Sequence, residues 1–142
     1  MPSLAFSHVA LNCKNPVLTE RFYSKHFDFK RARVIPLGAE QIVFLKSGNV
    51  YLELFQAKDT SPETTHKNDG PPYAGIRHIA FQVSDVDAKL AAMGPDAQVT
   101  LGPISFDSFI KGWRTAWLMD PDGRIVEISQ GYNDEANPPQ LA

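Results

Sequence analysis

Hydrophobic and polar residues alternate along four stretches of the chain. In FSHVALN (6–12), His8 shares a face with Phe6, Ala10 and Asn12, while Val9 and Leu11 point the other way. In VYLELF (50–55), Glu53 goes with Tyr51 and Phe55, and Val50, Leu52 and Leu54 lie opposite. In IRHIAFQV (76–83), His78 goes with Ile76, Ala80 and Gln82, against Ile79, Phe81 and Val83. In RIVEIS (124–129), Glu127 goes with Ile125 and Ser129, against Val126 and Ile128. Each stretch predicts a strand with one aliphatic face for packing helices and one mixed face carrying a single His or Glu.

Between these strands the pattern changes to helical spacing. Asn15-Pro16 predicts a helix start, with Asn as cap and Pro at the first helical position. Leu18 and Phe22, four apart, are expected to share its buried face. In the second half Ser84 or Asp85 caps, Val86, Leu90 and Met93 form the stripe, and Gly94-Pro95 ends the helix. SGN (47–49) and DPDG (120–123) are turns between strand-like runs. The two halves therefore repeat one plan, a strand with His at its centre, a helix, and a hairpin whose last strand carries Glu. The expected fold is α+β in a single domain over 1–142. Two β-α-β-β-β modules (about 4–56 and 76–131) form a curved, cup-like mixed sheet with helices on its outer face. The Pro- and Gly-rich segment 57–75 links them, and 132–142 is a loose tail.

Composition narrows the setting. A chain of 142 residues with net charge −2 gives no reason to expect nucleic acid or a membrane surface as partner. No apolar run approaches the roughly 20 residues of a spanning helix. The opening MPSLAFSHVALN lacks a basic region followed by a long apolar one, so no secretion signal is expected. The single Cys13 excludes an intramolecular disulfide and fits a cytoplasmic, reducing setting. Cys13 is expected to be a small packing residue.

The mixed faces carry the chemistry. A carboxylate on a sheet face among aromatics is costly unless paired or bound to a metal. His8, Glu53, His78 and Glu127 recur at matching places in the repeat and suggest one shared site. Two imidazoles and two carboxylates suit a borderline divalent ion such as Zn, Ni, Co, Mn or Fe. Tyr51, Phe55, Asn12, Gln82 and Ser129 share the ligand faces and are candidate substrate contacts, with Trp113 and Trp117 on one face of the strand before DPDG. An aromatic lining favours an apolar or aromatic substrate. The loop 103–112, with Phe106 and Phe109, either covers the pocket or packs on the sheet edge. Lys111 and Arg114 flank it, as contacts to an anionic substrate or as solvated rim. His26 and His66 read as a helix-end surface residue and a linker residue.

With its His on the first strand and Glu on the last strand of each module, the chain resembles the vicinal oxygen chelate superfamily, the glyoxalase, bleomycin-resistance and extradiol-dioxygenase group. The segments ALNCKNPVLTERFY, HFDF, IAFQVSDVDA and DPDGRIVEI carry the resemblance across roughly residues 4–131. It implies that His8, Glu53, His78 and Glu127 hold one divalent ion (Ni, Zn, Co or Mn) and that the protein is a homodimer acting on a small molecule. It also implies a lyase or isomerase of the glyoxalase I type, moving a proton next to a carbonyl, with Glu127 as base and Glu53 the alternative. Glyoxalase I has a basic residue four positions after the first His; here Asn12 stands there, which argues against glutathione. Two other readings remain: an Fe(II) extradiol dioxygenase, which needs two His and one Glu, and a non-catalytic protein that sequesters an antibiotic or toxin.

Overall fold

The computed structural model describes residues 3–59 and 66–142. The chain forms two compact units. One comprises the described residues up to 59 together with Asp120–Arg124, the other His66–Met119 with Ile125–Ala142.

In the first unit β1 (His8–Cys13), helix α1 (Pro16–His26), β2 (Lys30–Leu37), β3 (Glu40–Ser47) and β4 (Val50–Gln56) follow in order. The sheet order is β1-β4-β3-β2, with β1 parallel to β4 and the hairpin neighbours antiparallel. Helix α1 begins where expected: the Asn15 side chain accepts from the Val17 amide at 3.0 Å, and Pro16 opens the first turn. The aliphatic strand faces form the core, with Leu11, Cys13, Val43, Leu45, Leu52 and Leu54 buried. Phe22 and Tyr23 of α1 are buried as well, and Tyr23 contacts Phe27 and Phe29 beyond the helix. The buried stripe of α1 runs Pro16, Thr19, Phe22, Tyr23 and His26, so Leu18 is not on it and is 44% exposed. Thr19 takes the inward position because its hydroxyl meets Asp122 at 2.8 Å. His26 is buried against the Phe22 ring rather than lying on the surface.

The DPDG turn packs within this unit as a polar clasp. Asp120 is buried and accepts from the Tyr23 hydroxyl at 2.7 Å, from the Asp122 and Arg124 amides at 2.8 and 3.1 Å, and from the Arg124 guanidinium. Arg124 also donates to the Asn12 carbonyl at 2.8 Å, and Asp122 accepts from the Lys14 amide at 2.7 Å. Burial and the neighbouring Asp120 carboxylate push the Tyr23 phenol well above its ordinary value. Burial likewise raises the Cys13 thiol, which is fully enclosed, as expected of a packing residue.

The second unit repeats the plan with β5 (Ile79–Gln82), α2 (Val86–Met93), a 3₁₀ turn (Gly94–Asp96), β6 (Gln98–Ser105), β7 (Arg114–Met119) and β8 (Ile125–Gln130). The order is β5-β8-β7-β6, with β5 parallel to β8. Asp85 caps α2 through the Ala88 amide at 3.0 Å, and Gly94 closes it at φ 59°. Val86 and Met93 pack inward over a sheet core of Ala116, Leu118, Val126 and Ile128.

Three boundaries differ from expectation. His8 is the first residue of β1 and His78 lies just before β5, so neither is central in its strand. The parallel ladders start only where β4 and β8 start, after their turns: His8 pairs with Tyr51 and Ile79 with Val126. The segment 103–105 belongs to β6 rather than to a loop. As an edge strand, β6 tolerates Pro103 at a register shift against β7. Of the linker, residues 60–65 lie outside the described residues. The tail after Gln130 is exposed and forms no strand or helix. No helix among the described residues is long and apolar enough to cross a membrane.

Candidate metal centre

Alternation along β1 and β4 brings His8 and Glu53 onto one face, and their side chains meet. His8 Nε2 lies 3.1 Å from Glu53 Oε1. His78 Nε2 lies 3.0 Å from Glu127 Oε1 in the second unit. Both carboxylates are largely shielded, each 16% exposed. Ala10 and Ala80 pair in register with Glu53 and Glu127, so a small side chain lies beside each carboxylate and leaves it accessible. The four expected ligands thus fall into two like pairs, one in each unit. Among the described residues no single group of three or more His, Cys, Asp or Glu side chains could hold a metal ion.

Each imidazole is held from behind. His8 Nδ1 is 2.7 Å from the Ser7 hydroxyl, and the ring stands edge-on to Phe44, the cross-strand neighbour of Glu53. His78 Nδ1 is 2.6 Å from the backbone oxygen of Asp69. That oxygen only accepts, so Nδ1 carries the proton and Nε2 faces Glu127. A bare lone pair against a carboxylate is unfavourable; a shared proton or a metal cation satisfies both groups. Backbone oxygens behind metal-ligating histidines do this orienting job. Each pair offers one imidazole nitrogen and one carboxylate oxygen, the donor kinds a borderline divalent ion takes, and so supplies two donors of such a site.

The Asp69 oxygen is itself fixed. Arg77 forks onto the Asp69 carboxylate with two bonds of 3.1 Å. Between them Gly70 adopts φ 121°, and a Cβ there would lie 2.0 Å from the Arg77 oxygen. Only glycine permits this close approach.

Beside Glu127 lies a cavity of ≈ 290 Å³ lined by Ala80, Gln82, Trp113, Ser129 and Tyr132, among others. Trp113 donates its indole N–H to Ser129 Oγ at 3.0 Å, and Thr115 lies 3.1 Å from the same oxygen. Phe106 packs on Trp113 and Trp117, extending an aromatic wall that Tyr132 continues. Trp117 is the register partner of Glu127, and its buried indole nitrogen has no hydrogen-bond partner. In the first unit Asn12 and Phe55 are register partners one step along the His8–Glu53 face, and Tyr51 pairs with His8.

Several expected contacts lie elsewhere. Phe109 is 75% exposed and, with Lys111, lines a separate cavity of ≈ 680 Å³ against Tyr132 and Asp134. Arg114 is taken up by a fork onto Asp87 and a bond to Ser105. The sequence reading missed Tyr132, Thr115, Phe44 and Asp69. Strand parity was enough to find Phe44, between the aliphatic Val43 and Leu45, and Thr115, two before Trp117. Tyr132 and the Asp69 carbonyl belong to irregular segments, where periodicity is silent.

The chain matches the family model described as Glyoxalase/Bleomycin resistance protein/Dioxygenase superfamily over residues 5–128. Glyoxalase I of Saccharomyces cerevisiae is 26% identical over 89% of this chain, which spans 45% of that protein's length. A glyoxalase family protein from Enterococcus faecalis has a similar crystal structure, with TM-score 0.68 at 26% identity over 88% of this chain and 96% of that one. The fosfomycin resistance protein FosX of Listeria monocytogenes, solved with Mn(II) and sulfate, has TM-score 0.63 at 19% identity over 93% and 95% of the two chains. The likeness to FosX is one of fold.

Proposed function

Since the chain belongs to the Glyoxalase/Bleomycin resistance protein/Dioxygenase superfamily, we propose that it is a divalent-metal-dependent lyase or isomerase of the glyoxalase I type. The observation that carries this reading is the His–Glu pair repeated in both units, at 3.1 and 3.0 Å. His8, Glu53, His78 and Glu127 hold the ion. Each pair is one half of the ligand set, and the protein acts as a homodimer. When bound, the ion (Ni, Zn, Co or Mn) supplies Lewis-acid stabilisation of charge developing on a substrate oxygen.

The chain's own groups do the rest. His8 and His78, oriented through Nδ1, stay in place as neutral donors. Glu127 removes a proton from the carbon next to the carbonyl and returns it at the neighbouring carbon; Glu53 is the alternative base. Trp113, Tyr132, Gln82 and Ser129 bind the remainder of the substrate, and the buried Trp117 N–H gains a partner from a bound oxygen.

The test is metal analysis followed by proton exchange. Protein stripped with chelator and reloaded should retain one of these ions stoichiometrically. In D₂O it should exchange the proton next to the carbonyl of a 2-oxo or thioester substrate, with exchange lost in Glu127→Gln. A protein that takes up no ion sinks this reading. Oxygen consumption with a catechol, dependent on Fe(II), replaces it with the dioxygenase, which Glu53 argues against. Ligand binding indifferent to chelator replaces it with sequestration.

A further inference from the structure

Strand β2 begins KRAR, and the sheet treats its cations unequally. Arg31 reaches Glu20 of α1 on the helix-bearing side of the sheet. Lys30 pairs in register with Lys46, which pairs with Tyr51, which pairs with His8. Arg33 pairs with Phe44, which pairs with Glu53. Register partners point to the same side of a sheet. Lys30, Lys46 and Arg33 therefore share the face of the His8–Glu53 pair. Two contacts confirm this: the Lys46 ammonium lies 5.3 Å from the centre of the Tyr51 ring, and Phe44 meets the His8 ring.

A bulge produces this clustering. The register steps from Arg31–Leu45 to Arg33–Phe44, leaving Ala32 as the extra residue. In a regular strand Arg33 would join Arg31 on the helix side. The bulge turns it onto the face of Lys30. Like charges directly opposite on a sheet, as Lys30 and Lys46 are, repel and cost stability. Among the described residues no carboxylate forms an ion pair with any of the three, whereas Arg31, Arg77, Arg114 and Arg124 each have an acidic partner. Glu53 on this face is engaged by His8, and Glu40 lies at the far end of β3. A surface cleft of ≈ 570 Å³ opens at the end of the sheet beside Lys30 and Lys46, where Asp28, Arg31, Ser47 and Gly48 also line it and Arg33 does not.

We propose that Lys30, Arg33 and Lys46 form an anion-binding site on the substrate face of the first unit, and that it holds a carboxylate or phosphate group at the far end of the substrate. Its relation to the substrate rests on the metal-centre reading above; its anion affinity does not. Arg33 stands two strands from Glu53 and Lys46 two strands from His8, about 10 Å between Cα atoms at the usual strand spacing. Long cationic side chains shorten that gap. The substrate class is a short molecule with two chelating oxygens at one end and an anionic group three or four carbons away.

The test compares 2-hydroxyglutarate with 2-hydroxypentanoate on Mn(II)-loaded protein by calorimetry. Both offer the same hydroxy-acid chelating end, and only the first has a distal carboxylate. The site predicts that 2-hydroxyglutarate binds at least about ten-fold more tightly. In K30Q/R33Q that preference should vanish while 2-hydroxypentanoate affinity stays unchanged and the thermal melt does not fall. The single variant R33Q should show the same loss in smaller degree and serves if the double variant melts early. Equal affinity of the two acids for the parent protein, or a preference that survives K30Q/R33Q, overturns the proposal. If the protein takes up no Mn(II), or neither acid binds, inorganic phosphate on metal-free protein decides. Phosphate binding followed by ³¹P NMR and weakened at least about ten-fold in K30Q/R33Q upholds the anion site alone; absent or unchanged binding overturns it.

Discussion

Replacing Asp120 with Ala removes the acceptor at the centre of the DPDG clasp. Asp120 is 5% exposed and takes four bonds, from the Tyr23 hydroxyl, the Arg124 guanidinium and two turn amides. Tyr23 is fully buried, so its hydroxyl would lose its charged acceptor and keep only Arg124 beside it, at a cost of about 1–3 kcal/mol. Breaking a buried ion pair costs about 3–5 kcal/mol where the remaining charge has no other partner. Arg124 has others: its side chain is 21% exposed, Asp122 stands 3.7 Å away and the Asn12 carbonyl still accepts. Its share therefore falls to roughly 1–2 kcal/mol by comparison with that range, and the half-buried turn amides can turn to water. The sum is about 2–5 kcal/mol, a drop in melting temperature on the order of 10 °C for a chain of this size. Urea denaturation followed by circular dichroism measures the loss, and a double-mutant cycle with Tyr23→Phe apportions it. The cycle should give a coupling of about 1–2 kcal/mol, because Tyr23→Phe removes the hydroxyl that donates to Asp120. A loss under about 1 kcal/mol, or strictly additive variants, would refute the reasoning from burial and bond count.

Other consequences follow from the same structure. Gly70→Ala places a Cβ 2.0 Å from the Arg77 oxygen at a φ of 121°, so the Asp69 clasp behind His78 must open. Metal affinity, read by competition with a chelator, should fall about 10–100-fold, and an unchanged affinity would show that the carbonyl does not orient His78. Ser129→Ala removes the acceptor for Trp113 at 3.0 Å; about 1 kcal/mol of stability and a shift in tryptophan emission should be lost with it. The Tyr23 phenol is raised by burial and by Asp120, so the folded protein holds that proton more tightly than the unfolded chain. Its stabilising contribution is whole below the ordinary tyrosine value near 10 and is lost as pH rises from there through the folded value. Melting temperature should fall steeply above about pH 10 in the parent protein and less steeply in Tyr23→Phe; parallel curves would exclude Tyr23 as the cause.

Strand alternation in the sequence alone determined the sheet faces, because the pleat sends successive side chains to opposite sides whatever the surroundings. That parity placed Glu53 with Tyr51 and Phe55, and Glu127 with Ser129; the register of β1 against β4 then set His8 beside Glu53. Local capping chemistry likewise determined the start of α1 at Asn15-Pro16 and the end of α2 at Gly94, since those bonds close within a few residues. What depends on partners distant in sequence was decided only in three dimensions. Thr19 displaced Leu18 from the buried stripe of α1 because Asp122, over a hundred positions away, offers its hydroxyl a bond. The Asp69 oxygen behind His78 and the close pass at Gly70 depend on an irregular segment that periodicity does not read. The bulge at Ala32 shifts pleat parity by one residue and turns Arg33 to the face of the His8–Glu53 pair, and nothing in KRAR announces it: only the register against β3, closed by hydrogen bonds along the whole hairpin, decides where the extra residue goes.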